Sequence, residues 1–158
     1  MSNEIKAPEP LVSKGISIFL AGSIEMGTAE KWQDMIAREI TEDDVSIFNP
    51  RRDDWDSSWV QEFENKQFNE QVTWELKAME QADIIAMYFD INTKSPITLL
   101  EFGLFCRSGK LIVCCPEGFW RKGNVDIVSH RYHVQQVNTK QELVAAIKKR
   151  VEECKMHS

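Results

Sequence analysis

This chain of 158 residues has no apolar run approaching the length of a membrane span. Its opening, Met1 to Pro10, is polar and Pro-bearing, without the apolar core of a secretory signal. CxxC spacing is missing too: the four cysteines are Cys106, the adjacent Cys114 and Cys115 within an apolar run, and Cys154. That pattern fits reduced thiols in an intracellular protein and speaks against a disulfide frame or a zinc site. Excess positive charge is absent. A net charge of -6 argues against nucleic acid or an anionic membrane as the main partner, although a local basic patch could still hold one phosphate. There is no P-loop signature, no GxGxxG and no GxSxG elbow, which speaks against a P-loop kinase, a dinucleotide oxidoreductase or an elbow-type hydrolase. His130 and His133 share helical spacing but lack a third ligand, so no metal and no cofactor is expected. Repeats, low-complexity tracts and interdomain linkers are also missing. The expectation is a soluble, cytoplasmic protein with a loose N-terminal arm over 1–15, a single domain over 16–153 and a frayed tail over 154–158.

What is present is ordinary globular content, 42% hydrophobic and 28% charged, arranged as short β-rich runs alternating with helical patterns. The first strand is Ile16 to Ala21, ending at Gly22-Ser23. A helix from about Thr28 to Ile40 places Trp32, Met35, Ile36 and Ile40 on one face. Val45 to Phe48 is a second strand, stopped by Asn49-Pro50. After a polar, Trp-containing loop, a long helix carries Phe68, Val72, Leu76 and Met79 and ends near Gln81. Ile84 to Phe89 forms the third strand, and a helix starts near Pro96, a residue tolerated in a first turn. Lys110 to Cys115 is a fourth strand and Val134 to Val137 a short fifth, before a last helix from Gln141 to about Glu153. Five strands with crossover helices predict a flavodoxin-like or Rossmann-like open parallel sheet with helices on both faces. In such sheets ligands bind beyond the carboxyl ends of the strands. That rule selects Gly22-Ser23, Asn49-Pro50-Arg51-Arg52, the loop after Asp90, and Pro116 onward.

Glu101 interrupts the apolar run Ile97 to Phe105, just past the third of these positions. An unpaired carboxylate is costly to bury, and perturbed acids cluster at functional sites. The bland alternatives are a salt-bridged Glu or one turned outward on a mostly buried helix. Two further acids precede it. Glu75 stands 26 residues earlier on the long helix, and Asp83 stands at the amino end of the third strand, where a structural turn role fits better.

The order and spacing of Phe19-Leu20-Ala21-Gly22-Ser23-Ile24, Asn49-Pro50-Arg51-Arg52, Trp74-Glu75, Ala82-Asp83-Ile84 and Leu100-Glu101-Phe102-Gly103 are together similar to the nucleoside 2-deoxyribosyltransferase superfamily. That superfamily also holds nucleotide N-glycoside hydrolases. The resemblance covers roughly residues 16–127 and implies that Glu101 is the nucleophile attacking the anomeric carbon. The chemistry suits a carboxylate, because N-glycosidic cleavage passes through an oxocarbenium-like state that an anion can stabilise and capture. By spacing, Glu75 matches the acid that assists the leaving base; otherwise it is a solvated helix residue near Lys77. A second family acid would fall at Ser95, whose hydroxyl could instead contact a sugar, a phosphate or a base edge. Asp90 could take the acidic role. Asn124 matches an Asn that reaches a neighbouring subunit's sugar, two residues short of the family spacing, and is otherwise an ordinary turn residue.

Gly22 and Ser23 would line the base and sugar pocket. Asn49 and Arg51 join the substrate-binding set, and Arg51 and Arg52 could hold a phosphate. They could equally pair with Asp53, Asp54 and Asp56, and at least one is expected to do so. Trp55, Trp59 and Trp120 could stack on a base or form a lid, or pack in the core or a subunit interface. The resemblance thus implies a homo-oligomeric enzyme that moves a deoxyribosyl group from a nucleoside to a free nucleobase. The alternatives are a nucleoside 5′-monophosphate N-glycosidase and a non-catalytic nucleotide-binding module.

Overall fold

A computed structural model describes residues 2–23, 31–52 and 59–157. In chain order the elements are β1 (Asn3–Lys6), β2 (Ile16–Gly22), α1 (Trp32–Glu39), β3 (Val45–Asn49), α2 (Lys66–Gln81), β4 (Ile84–Tyr88), α3 (Pro96–Phe105), β5 (Leu111–Cys114), α4 (Lys122–Tyr132), β6 (Gln135–Val137) and α5 (Lys140–Met156). The strands form one parallel sheet in the order β1-β3-β2-β4-β5-β6. It is the expected open α/β sheet, with six strands where five were expected.

Alternation along each strand builds two cores. Ile18 and Leu20 of β2 face α1 and α5 with Ile84, Ala86 and Ile112, against Trp32, Ile36, Leu143, Ile147 and Val151. Phe19 and Ala21 face the other way, packing with Met87, Phe89 and Val113 against Trp74, Ala78, Phe102 and Val125 of α2, α3 and α4. β3 and β4 flank β2 on opposite sides, so the chain reverses its direction of winding between β2 and β4. That reversal opens a crevice at their carboxyl ends. The amino ends of the same two strands are stitched by Asp83, whose Oδ2 accepts from Ser17 N at 2.9 Å and Ser17 Oγ at 3.2 Å. Asp83 is therefore the structural turn residue that its position suggested.

Several expectations need correcting. The N-terminal arm is not loose, because Asn3–Lys6 adds β1 to the edge of the sheet beside β3. The tail is not frayed from Cys154, since α5 continues to Met156. The segment 122–132, expected to begin as a turn, is the helix α4. On α2 the buried face is Gln71, Trp74, Ala78 and Met79, whereas Val72 is 36% exposed. The helix is rotated from its apolar stripe because Trp74 has more area to bury and because its indole N–H reaches Glu9 O at 2.7 Å. α1 begins at Trp32, and the earlier start expected at Thr28 lies outside the described residues. Among the described residues, no helix is long and apolar enough to cross a membrane.

Candidate active site

The crevice between β2 and β4 is narrow at the backbone. A Cβ on Gly22 would lie 2.5 Å from Trp32 Cζ2 and 2.5 Å from Tyr88 O, so only glycine lets the two strand ends close together here. Ser23 then donates its N–H to Tyr88 O at 3.2 Å, and its side chain is fully covered. Asp90 shapes the turn on the β4 side. Its Oδ1 accepts from Asn92 N at 2.9 Å, and its carbonyl accepts from Thr93 N at 3.1 Å.

Three hydroxyls meet above that turn. Ser23 Oγ accepts from Asp90 N at 2.9 Å and from Thr93 Oγ1 at 3.1 Å, while Ser95 Oγ contacts both Thr93 Oγ1, at 2.6 Å, and Ser23 Oγ. All three residues are buried. Ser95 adopts a left-handed backbone, φ 48, directly before α3, a strained conformation for a non-glycine residue that the cluster holds in place. Gly22, Ser23, Asp90 and Ser95 are thus brought together, with Thr93 as a member that sequence reasoning missed. Thr93 carries no periodic or charged signal of its own.

The second group joins α2 and α3. Asn65 caps α2, accepting from Phe68 N at 2.9 Å, and so sets the start of the helix that carries Glu75. Glu101 lies in the second turn of α3, where only 8% of the residue is exposed, although its helix neighbours Ile97, Leu100 and Leu104 all face outward. Burial, reinforced by the nearby charge of Glu75, pushes the Glu101 carboxyl well above its ordinary value. Burial also raises Glu75, from an ordinary 4.5 to about 7, against a hydrogen bond from Gln71 that favours its charged form. Both carboxyls therefore hold their protons to higher pH than an ordinary glutamate. Two neighbouring carboxyls with raised values can supply one acid and one carboxylate, the complement that glycosidic chemistry needs.

Gln71 was also missed, although its position four residues before Glu75 puts both on one face of a helix. Gln71 Nε2 donates to Pro50 O at 3.0 Å and to Glu75 Oε1 at 3.4 Å, and its Oε1 accepts from Arg52 Nη1 at 3.5 Å. Arg51 reaches Gln33 Oε1 at 3.2 Å. Asn49 is wholly buried and acts as a buttress. Its Nδ2 donates to Glu4 Oε2 on β1 at 3.0 Å, and its Oδ1 accepts from Arg51 N at 3.0 Å. The suggested partners Asp53, Asp54 and Asp56 lie outside the described residues, as do Trp55 and Ile24.

Asn124 sits exposed in the first turn of α4, and among the described residues no hydrogen bond links it to either group. Trp59 carries the Arg52 guanidinium 5.1 Å from its ring centre. Trp120 packs in neither core. It is 45% exposed, with Lys94 Nζ 4.4 Å and Arg121 Cζ 4.2 Å from its ring centre. Among the described residues, no group of three or more His, Cys, Asp or Glu side chains could hold a metal ion. A groove of about 610 Å³ lies away from the carboxyl pair, between Pro8–Leu11 and the Trp74, Lys77, Glu80 and Gln81 side of α2. The chemistry-bearing residues do not line it.

Residues 15–119 match the model of a family described as nucleoside 2-deoxyribosyltransferase like. Among solved structures, the chain is similar to a conserved protein from Enterococcus faecalis, with a TM-score of 0.61 and 12% identity over 86% of this chain and 99% of that one. At that identity the likeness speaks for the fold alone. No curated protein matches the chain.

Proposed function

Because the chain belongs to the nucleoside 2-deoxyribosyltransferase-like family, we propose that it cleaves the N-glycosidic bond of a 2′-deoxynucleoside and transfers the deoxyribosyl group to a second base. The observation that carries this reading is the pairing of Glu101 and Glu75 from separate helices, each with its carboxyl raised by burial. In the reactive form Glu75 holds a proton and Glu101 is ionised, and Glu101 attacks the anomeric carbon. As the new C–O bond forms, the C–N pair passes to the departing base, which takes a proton from Glu75. An incoming base then attacks the same carbon, returns its proton to Glu75 and releases Glu101.

Gly22, Ser23, Asp90 and Ser95 support the sugar and base from the strand ends. Asn49 and Arg51 shape the next loop, and Asn124 is assigned to the sugar of a neighbouring subunit. A homo-oligomer is part of the proposal. Its support is the α3 face of Ile97, Leu100 and Leu104, each more than half exposed at helical spacing beside the site. A cytoplasmic setting is proposed as well, in keeping with four unpaired thiols, three of them buried.

Ser95 favours a second reading, hydrolysis of a nucleoside 5′-monophosphate. It places a hydroxyl, not an acid's charge, at the amino end of α3, where an anion is welcome, and Lys94 and Arg121 add positive charge at the same rim. Chromatography of the protein with a deoxynucleoside, with and without a second base, separates the readings. A new nucleoside formed only with the added base is expected. Free base from monophosphates alone would select the hydrolase, and silence on both would select a binding module. Glu101→Ala is expected to lower base release about a thousandfold or more. Unchanged release in that variant removes Glu101 as nucleophile.

A further inference from the structure

Gln71 is 6% exposed, and its amide is held at three points. Arg52 can only donate and the Pro50 carbonyl can only accept, so the amide cannot be turned end for end. Its oxygen must face Arg52, and its nitrogen must face Pro50 and Glu75. That orientation distinguishes the two oxygens of Glu75. Oε1 receives the Gln71 N–H, which leaves Oε2 as the oxygen able to carry a proton.

Resting on the function proposed above, we propose that Gln71, clamped between Arg52 and Pro50, is a positioning residue that presents Glu75 Oε2 as the proton donor to the leaving base. In this step the Oε2–H bond breaks as the base N–H bond forms, and the glycosidic electron pair stays with the base. Glu75 is left as a carboxylate. The Gln71 N–H and the Arg52 charge behind it stabilise that product, so the clamp acts where charge develops. The reverse transfer from an incoming base or water uses the same oxygen.

Among the described residues, the other charged groups near Glu75 do not perform this task. Glu101, from α3, is a like charge and cannot stabilise the ionised Glu75; its own carboxyl is raised by burial and then by Glu75. Lys77, on α2 itself, lines the groove beside Trp74 with Glu9 and Glu80. Of these groups, Gln71 favours the ionised product by direct contact, and Arg52 reaches Glu75 only through the Gln71 amide.

The test replaces Gln71 by Met, which has similar length and no donor, and in a second protein replaces Arg52 by Met. Carboxyl ¹³C NMR titration, with the Glu75 signal assigned by its loss in Glu75→Gln, reads the proton affinity directly. Gln71→Met is expected to raise the Glu75 midpoint by roughly half to one pH unit. It should also lower kcat about tenfold and leave KM within about twofold, with the basic limb of the pH–rate profile moved upward. Arg52→Met should move the midpoint in the same direction by less. It leaves α2 intact and so keeps the test standing if Gln71→Met does not fold. An unmoved midpoint, or a change confined to KM, overturns the positioning role. A moved midpoint in a protein that releases no base from any nucleoside or monophosphate overturns the function on which it rests. The two failures are therefore distinguishable.

Discussion

Replacing Glu75 by Gln should make the protein more stable at alkaline pH while impairing base release. In the fold, burial holds the Glu75 carboxyl near 7, against 4.5 for an ordinary glutamate. Below about pH 4.5 the group is protonated in both folded and unfolded chains, and it makes no difference to stability. Between 4.5 and 7 the unfolded chain gives up the proton while the folded one keeps it, so the folded state binds more protons and stability falls as pH rises. Above that window both states are ionised and the whole cost is present. The difference corresponds to about 3 kcal/mol, or roughly 2–3 kcal/mol after discounting for solvent access to a half-buried residue. Gln never ionises, keeps the Gln71 contact and relieves Glu101 of a neighbouring charge. Thermal unfolding followed by circular dichroism at pH 4 and 8.5 reads the effect. The expected gain is about 5–10 °C at pH 8.5 and almost none at pH 4. An equal gain at both values, or a loss at pH 8.5, would refute the argument that this carboxyl is kept against the interest of the fold.

Gly22→Ala should lower the urea midpoint by the equivalent of about 1–3 kcal/mol with an unchanged m-value, because the added methyl meets Tyr88 O, a backbone atom that cannot step aside. An unmoved midpoint would mean that the strand ends are not as close as described. Leu100→Lys places a charge on the exposed α3 face and should leave the unfolding temperature within about 2 °C, since surface changes of this kind fall within about 0.5 kcal/mol. Sedimentation equilibrium should show wild-type assembly and its loss in the variant; assembly unaffected by the charge would place the subunit contact elsewhere.

Much of the sheet was legible because its signals are local. β2, β3, β4 and β5 are short β-rich runs ended by Gly-Ser, Asn-Pro, an acidic loop and Pro, and each such stop lies within a few residues of its strand. β1 was missed because Asn-Glu-Ile-Lys has little apolar content. Its place at the sheet edge is secured by pairing with β3 and by the Asn49 to Glu4 hydrogen bond, both long-range. α4 was missed because Gly123 and Asn124 read as a turn, whereas Val125 and Ser129, buried from within, make the segment a helix. The α2 stripe was read from its apolar residues, but the buried face includes the polar Gln71, which no hydrophobic pattern selects.

The site divides along the same line. A carboxylate in the apolar run of Glu101 was conspicuous because its local surroundings are wrong for an exposed acid. Family spacing pointed to Glu75 without saying what it faces. Only the tertiary structure decided that the two carboxyls share a protected space and that Ser95 closes a ring of hydroxyls with Ser23 and Thr93. It alone showed Asn49 as a buttress, and Gln71 in hydrogen-bond contact with both Arg52 and Glu75. Apart from β1 and α4, the sequence by itself determined the order of strands and helices and most points where the chain turns, because periodicity and turn chemistry depend on neighbours within a few residues. Which side chains meet across the crevice depends on sheet order and helix rotation, and these follow from packing the whole core at once.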